Sequence, residues 1–151
     1  MDKELAITIL NKTLDDYNKV AEKYSQVREK NWKEMSFLFD DYLEKGDNVL
    51  DLGCGNGRFY EEFISRGVFY NGLDFSEKII EIARKNNPKG DFRVADALNI
   101  PFEDNSFDNI LCTEVFEHAT DPNLILKEIL RIIKTKKKII LTAPFYSWTH
   151  F

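Results

Sequence analysis

A chain of 151 residues, 43% hydrophobic and 31% charged, has the apolar content of one folded domain and too much of it for a disordered segment. Its net charge of −5 argues against a strong non-specific grip on nucleic acid, which draws on a basic face. Two cysteines, Cys54 and Cys112, are too few for a disulfide framework or a cysteine zinc site. No run approaches the roughly 18 apolar residues of a membrane span. The first residues lack the basic-then-apolar layout of a signal peptide, so the expected setting is cytoplasmic.

In chain order, residues 5–44 read mostly as helix. Leu10, Leu14, Tyr17, Val20, Ala21 and Tyr24 recur at spacings of three and four, and a second stretch from Trp32 to Leu43 places Met35, Leu38, Phe39 and Tyr42 on one face. Lys45-Gly46-Asp47 is a stop and turn. Short apolar runs then alternate with helical patterns. Strands are expected at Asn48–Leu52, Phe69–Leu73, Phe92–Ala95, Phe107–Cys112 and Lys138–Thr142. Helices are expected at Phe59–Ser65, at Glu77–Lys85 behind a Ser76 cap, and from Asp121-Pro122 to about Lys134. This alternation predicts an α/β domain with a parallel sheet and right-handed crossovers. Ligands of such sheets sit beyond the carboxyl ends of the strands, which directs attention to residues 51–57, 74–75, 96–97 and 113–118.

The segment VLDLGCGNGRF, residues 49–59, carries Gly53, Gly55 and Gly57 interleaved with Cys54 and Asn56. Glycines allow positive φ and close approach of backbone to a ligand, and the helix that follows turns its unpaired N–H groups toward the loop. Asp74 ends the second strand 21 residues after Gly53, the offset at which a carboxylate accepts from ribose hydroxyls. Phe75 is placed to cover an adenine face. Asp96, with the Ala97 backbone, is placed to read the adenine edge. An adenosine-containing cofactor follows. Two features favour S-adenosylmethionine over a nicotinamide dinucleotide. The spacing is G-x-G-x-G, with Arg58 in the third slot of the dinucleotide pattern. Asp51 and Glu114 flank the loop and suit a sulfonium and an ammonium better than a diphosphate.

The motifs VLDLGCGNGRF, NGLDFS, ADALNIPFEDNSFDNILCTEVFEHATDP and LKEILRIIKTKKKIILTAPF occur in that order across roughly residues 45–145. The chain resembles class I S-adenosylmethionine-dependent methyltransferases, in particular the methyltransferase-domain group that includes ubiquinone-pathway and tRNA-wobble enzymes. The resemblance implies a Rossmann-like doubly wound sheet of about five strands in the order 3-2-1-4-5, mostly parallel, with helices on both faces and N-terminal helices. It implies that Gly53, Cys54, Gly55 and Gly57 wrap the methionine moiety and that Asp51 orients it. Asp74 would hold the ribose, Phe75 would line the adenine, Asp96 and Ala97 would read its edge, and the Thr113–Glu114 backbone would receive the ammonium. YNKVAEKYSQVRE resembles the group's leading helix, so Tyr17 and Tyr24, with Arg28, are candidates to close over the cofactor. Residues 1–44 would pack over the site and residues 45–151 would form the core of a single domain.

Glu114, Glu117 and His118 form an E-x-x-E-H pattern that in ubiquinone-pathway O-methyltransferases binds a divalent metal. Here the preferred reading is loop ordering without a metal. His118, with Glu117, is the candidate general base. The resembled fold has seven strands, and this sequence supplies five before an aromatic-rich end at 143–151. Two expectations compete: the core is truncated, or its fifth strand is covered by a second copy or a partner chain. Such a chain could act as a non-catalytic cofactor-binding subunit. An aminopropyl transferase shares the fold but needs further acids for a polyamine. No acceptor is named by the fold.

Overall fold

The computed structural model describes residues 36–119 and 121–142, together with Thr8, Lys12, Asp15, Asp16, Lys19, Ala21, Lys23 and Ser25, all of which are helical. Tyr17, Tyr24, Arg28 and 143–151 lie outside the described residues. The elements in order are α1 (Ser36–Tyr42), β1 (Asn48–Leu52), α2 (Tyr60–Ser65), β2 (Phe69–Asp74), α3 (Glu77–Asn86), β3 (Asp91–Val94), β4 (Phe107–Thr113), a 3-10 turn (Phe116–His118), α4 (Pro122–Ile132) and β5 (Ile133–Thr142). The strands form one sheet in the order β3-β2-β1-β4-β5, and every neighbouring pair is parallel.

The period-two alternation of β1 divides the core between two faces. Val49 packs with Phe39, Phe59, Phe63, Tyr70, Ile80 and Phe92, beneath α1, α2 and α3. Leu50 and Leu52 pack on the opposite face with Ile110, Cys112, Ile125, Ile129 and Ile132, beneath α4. A central parallel strand covered on both faces is largely apolar, which is why β1 and β4 carry the hydrophobic runs VL and ILC. Buried polar residues interrupt or end these runs: Asp51 near the carboxyl end of β1, and Asn109 and Thr113 in β4.

Two helix starts follow from their first residues. Ser76 Oγ accepts from the Ile79 N–H at 3.3 Å and opens α3. Asp121 Oδ1 accepts from the Asn123 N–H at 3.0 Å and Pro122 opens α4.

Some boundaries differ from those expected. α2 begins at Tyr60, α3 runs to Asn86 and β3 runs one residue earlier at each end. α4 stops at Ile132, and β5 follows at once from Ile133 instead of starting at Lys138. The register shows why: Phe107 pairs with Ile133, whereas Asn109 already pairs with Lys138. The extra residues of β5 form a bulge in which Lys136 takes φ 64°. Two of its lysines share one carboxylate, with Asp108 at 2.9 Å from Lys134 Nζ and 3.2 Å from Lys137 Nζ, and Lys137 also lies 3.6 Å from Asp47. A lysine-rich run carries no strand periodicity, so only the ion pairing reveals the element.

Candidate functional site

The four loops that follow β1, β2, β3 and β4 surround one cavity. Its lining includes Gly53, Cys54, Gly55, Asn56 and Arg58 from the first loop and Asp74 and Phe75 from the second. Asp96, Ala97 and Leu98 come from the third, and Thr113, Glu114, Val115 and His118 from the fourth. The structure therefore gathers most of the sequence-selected residues around one space. Gly57, Asp51 and Glu117 are not among the lining residues.

The glycine loop is fixed by the strand beside it. The N–H groups of Gly53 and Cys54 both donate to the Leu73 carbonyl, at 2.7 and 3.0 Å, and the Gly55 N–H donates to Asp74 Oδ2 at 3.1 Å. Gly53, Gly55 and Gly57 take φ of 77°, 55° and 75°, a region that disfavours side chains. Their surroundings differ. A Cβ on Gly53 would run into Val115 Cγ2, where the loops after β1 and β4 touch. A Cβ on Gly57 would lie 2.7 Å from Asn87 Nδ2 and 2.8 Å from Phe92 Cζ, which explains its position facing the core instead of the cavity.

Asp74 accepts from two loops at once, with Oδ2 on Gly55 N–H and Oδ1 on Ser76 N–H at 3.0 Å. Burial pushes its pKa up, opposed by those amides and that of Phe75. Asp96 Oδ1 accepts from the Leu98 N–H at 2.9 Å and so caps its own turn. Asp51 sits behind the loop, where its Oδ2 accepts the Tyr70 hydroxyl at 2.6 Å. Burial raises its pKa to about 6, opposed by the Tyr70 hydrogen bond and the nearby Arg58 charge. Its Oδ1 is buried without a hydrogen-bond partner among the described residues. Burial, with the Asp51 and Asp74 charges, also pushes the Cys54 thiol up, which keeps it protonated and poorly nucleophilic.

Sequence reasoning passed over two residues. Asn56 Nδ2 donates to Ser25 Oγ at 3.0 Å and to the Ser25 carbonyl at 3.2 Å, joining the N-terminal segment to the glycine loop. Arg58 lies 3.8 Å from Glu114 Oε2 and stacks over Phe59, with its side chain only 8% exposed. Glu114 itself takes φ 58°, an uncommon conformation for a non-glycine residue. Both contacts span long stretches of sequence, and no local pattern announces them. Among the described residues, no group of three His, Cys, Asp or Glu side chains is placed to hold a metal ion.

A parallel sheet in this order, with a glycine loop and strand-end acids around one cavity at the carboxyl edge, defines a nucleotide-type binding domain. Residues 50–141 match the family described as methyltransferase domain, and the chain belongs to that family. Over 134 residues it is 28% identical to a demethylmenaquinone methyltransferase of Paenarthrobacter aurescens, covering 89% of this chain and 53% of the relative. Over 132 residues it is 31% identical to a tRNA (carboxymethyluridine(34)-5-O)-methyltransferase of Saccharomyces cerevisiae, covering 87% and 46%. The solved structure of a SAM-dependent methyltransferase from Methanosarcina mazei superposes with a TM-score of 0.65 at 28% identity, covering 69% of this chain and 55% of that one. The chain spans about half the length of the curated relatives it matches.

Proposed function

We infer that this chain binds S-adenosylmethionine in the cavity above β1, β2, β3 and β4 and forms the cofactor-holding part of a methyltransferase. The observation that carries the reading is the convergence of Gly53, Gly55, Asp74 and Asp96 on that one cavity. The residues fit the group. Gly53 and Gly55 bring backbone instead of side chains to the cavity wall, where a methionine tail would lie. A set of acids around or behind the cavity suits a ligand that bears a sulfonium and an ammonium.

In this reading Gly53, Cys54, Gly55 and Gly57 shape the cradle, with Gly57 acting through its packing on Phe92. Asp74 accepts from the ribose hydroxyls, Phe75 covers the adenine, and Asp96 and Ala97 address its edge. Thr113 and Glu114 receive the ammonium, and Asp51 adds negative charge from behind. Residues 1–44 are the segment proposed to pack over the site, with Tyr17 and Tyr24 as candidates to close over the cofactor, and the Ser25–Asn56 contact ties this segment to the glycine loop. When bound, the cofactor supplies a methyl carbon already activated by its positive sulfur. The chain's own contribution is then positioning, which can lower a barrier by about 7–11 kcal/mol. His118, on the cavity wall, would accept a proton from an acceptor that must lose one, with Glu117 beside it in the turn. No metal step is needed, and chelation should leave methyl transfer unchanged.

Among the described residues no helix is long and apolar enough to cross a membrane. We place the protein in the cytoplasm. β5 pairs on one side only among the described residues, and Leu141 on it is 47% exposed. That edge is where a second copy or a partner chain would join if the isolated chain binds cofactor without turning it over. Calorimetry with S-adenosylmethionine, S-adenosylhomocysteine and NAD tests the central reading. Binding of the first two is expected, and binding of NAD alone would overturn it. Methyl transfer by the isolated chain would remove the need for a partner.

A further inference from the structure

We propose that Tyr70, which does not line the cavity, is a positioning residue for cofactor binding: its hydroxyl holds the Asp51 carboxylate charged and in one orientation behind the glycine loop, where that charge attracts the cationic end of the ligand. The proposal rests on the S-adenosylmethionine reading above and deepens it by tracing part of the site's affinity to a residue buried outside it.

Geometry makes the first argument. Asp51 is fully buried in β1, beside Gly72 of β2 and Leu111 of β4. Gly72 brings no side chain to that spot. The Tyr70 phenol, from one pleat earlier on the same face of β2, reaches Asp51 Oδ2 at 2.6 Å. Three rings fix the phenol: Tyr60, Phe63 and Phe92 stand with centroids 5.4, 5.6 and 5.6 Å from its own. A hydroxyl held in this way fixes Oδ2 in turn. Oδ1 is buried with no hydrogen-bond partner among the described residues, so it is the oxygen whose acceptor capacity is still unmet.

Charge makes the second argument. A carboxylate set among apolar rings tends to keep its proton, and a neutral acid has little hold on an ammonium. Burial raises the Asp51 pKa to about 6, and Asp74 at the end of β2 adds to the rise. The Tyr70 hydrogen bond, and after it the Arg58 charge, keep it from rising further, so the group is charged at neutral pH. The other titratable groups that bear on it are Cys54 in the loop, Tyr70 itself and Cys112 on β4. Burial pushes all three up, and they stay protonated and neutral.

The experiment measures S-adenosylhomocysteine affinity by calorimetry on the full chain, on Tyr70→Phe and on Asp51→Asn, from about pH 5 to about pH 8.5. A ligand with an ammonium favours charged Asp51, so affinity rises with pH and levels off above the pKa of the free protein. The wild type should gain about threefold to tenfold and level off above about pH 6. Asp51→Asn should bind more weakly and lack that rise, and any pH dependence it keeps belongs to Asp74, His118 or the ligand. Tyr70→Phe should level off at least about one pH unit higher, binding more weakly than the wild type near neutrality and matching it at the alkaline end. A merely structural role for Tyr70 would lower affinity by the same factor at every pH, and that result overturns the proposal. So does a wild-type rise no larger than that of Asp51→Asn. Where Tyr70→Phe does not fold, the wild type labelled with carbon-13 at tyrosine Cζ decides. The Tyr70 signal should move with the same midpoint as the affinity, and a signal that ignores pH across that range overturns the proposal. Absence of binding at every pH would fail the S-adenosylmethionine reading itself, an outcome distinct from binding that does not depend on pH.

Discussion

The Tyr70 hydroxyl donates a 2.6 Å hydrogen bond to Asp51 inside the sheet, directly behind the glycine loop. Two adjacent parallel strands thus share a buried carboxylate whose pKa is raised to about 6, mainly by burial. The hydrogen bond favours the charged form, and burial opposes it more strongly.

A pH dependence follows, and its sign is set by the raised value. In the unfolded chain Asp51 titrates near 3.8, whereas in the folded chain it holds its proton up to about 6. Between those values the folded state binds more protons, so the contribution of this group to stability falls as pH rises. The full span amounts to about 3 kcal/mol at most. Melting curves at pH 5, 6 and 7 should show Asp51→Asn gaining on the wild type as pH rises through this window. Tyr70→Phe should push the transition higher by removing the bond to the charged form. A constant difference between wild type and Asp51→Asn at all three pH values would refute the assignment.

Asp74 serves two loops, and its substitutions should separate those services. Asp74→Ala leaves the N–H groups of Gly55 and Ser76 without their acceptor, at about 1–3 kcal/mol for each buried donor. Asp74→Asn keeps the shape and one acceptor oxygen. Both variants should bind S-adenosylhomocysteine at least about tenfold more weakly, because a neutral amide is a poor acceptor for two ribose hydroxyls. The melting temperature should fall further for Ala than for Asn. Unchanged affinity in Asp74→Ala would remove Asp74 from the ribose role.

Much of this arrangement is legible in the sequence because it is local. Gly53, Gly55 and Gly57 announce a loop that needs positive φ, and Ser76 and Asp121-Pro122 announce helix starts through their own backbone contacts. The strand order follows from the alternation of elements and the family resemblance. What escapes the sequence is contact across the fold. Arg58 meets Glu114 because β1 and β4 are neighbours, and Asn56 meets Ser25 because the N-terminal segment returns to the loop. Asp51 reads as an acid just before the loop, yet its burial is decided by the strands on both sides. The start of β5 is hidden because Lys134 and Lys137 are held there by Asp108 and not by apolar packing.

Three glycines at positive φ form an internal series. Gly46 takes φ 92° with nothing within 4 Å of where a Cβ would stand, so Gly46→Ala reports backbone strain alone, about 1 kcal/mol. Gly57→Ala adds collision with the Phe92 ring and should cost more, about 2–4 kcal/mol, read as a lower urea midpoint. Gly53→Ala adds collision with the Val115 side chain at the junction of two site loops. It should weaken S-adenosylhomocysteine binding more than its loss of stability explains. Equal stability losses in Gly46→Ala and Gly57→Ala would show that Phe92 yields freely.

Arg131, near the end of α4, gathers the loop between β3 and β4. Its guanidinium donates to the Ile100 carbonyl at 2.9 Å and the Phe102 carbonyl at 2.7 Å, and it pairs with Asp104 and Glu128 at 2.9 and 2.8 Å. Glu128 in turn accepts from the Ile100 N–H at 2.9 Å, and these bonds hold its carboxyl below the usual range. The same loop begins at Asp96 and Ala97 on the cavity wall. A lysine cannot reproduce this fork, since its single ammonium cannot span two carbonyls and two carboxylates in one plane. Arg131→Lys should therefore speed amide exchange at Leu98, Ile100 and Phe102 while leaving β1 and β2 protected. Binding of S-adenosylhomocysteine should weaken by a few-fold, about 0.5–1 kcal/mol, through a looser adenine wall and not through lost contacts. Uniform loss of protection across the sheet would instead make Arg131 a general stabiliser of the fold, with no particular hold on this loop.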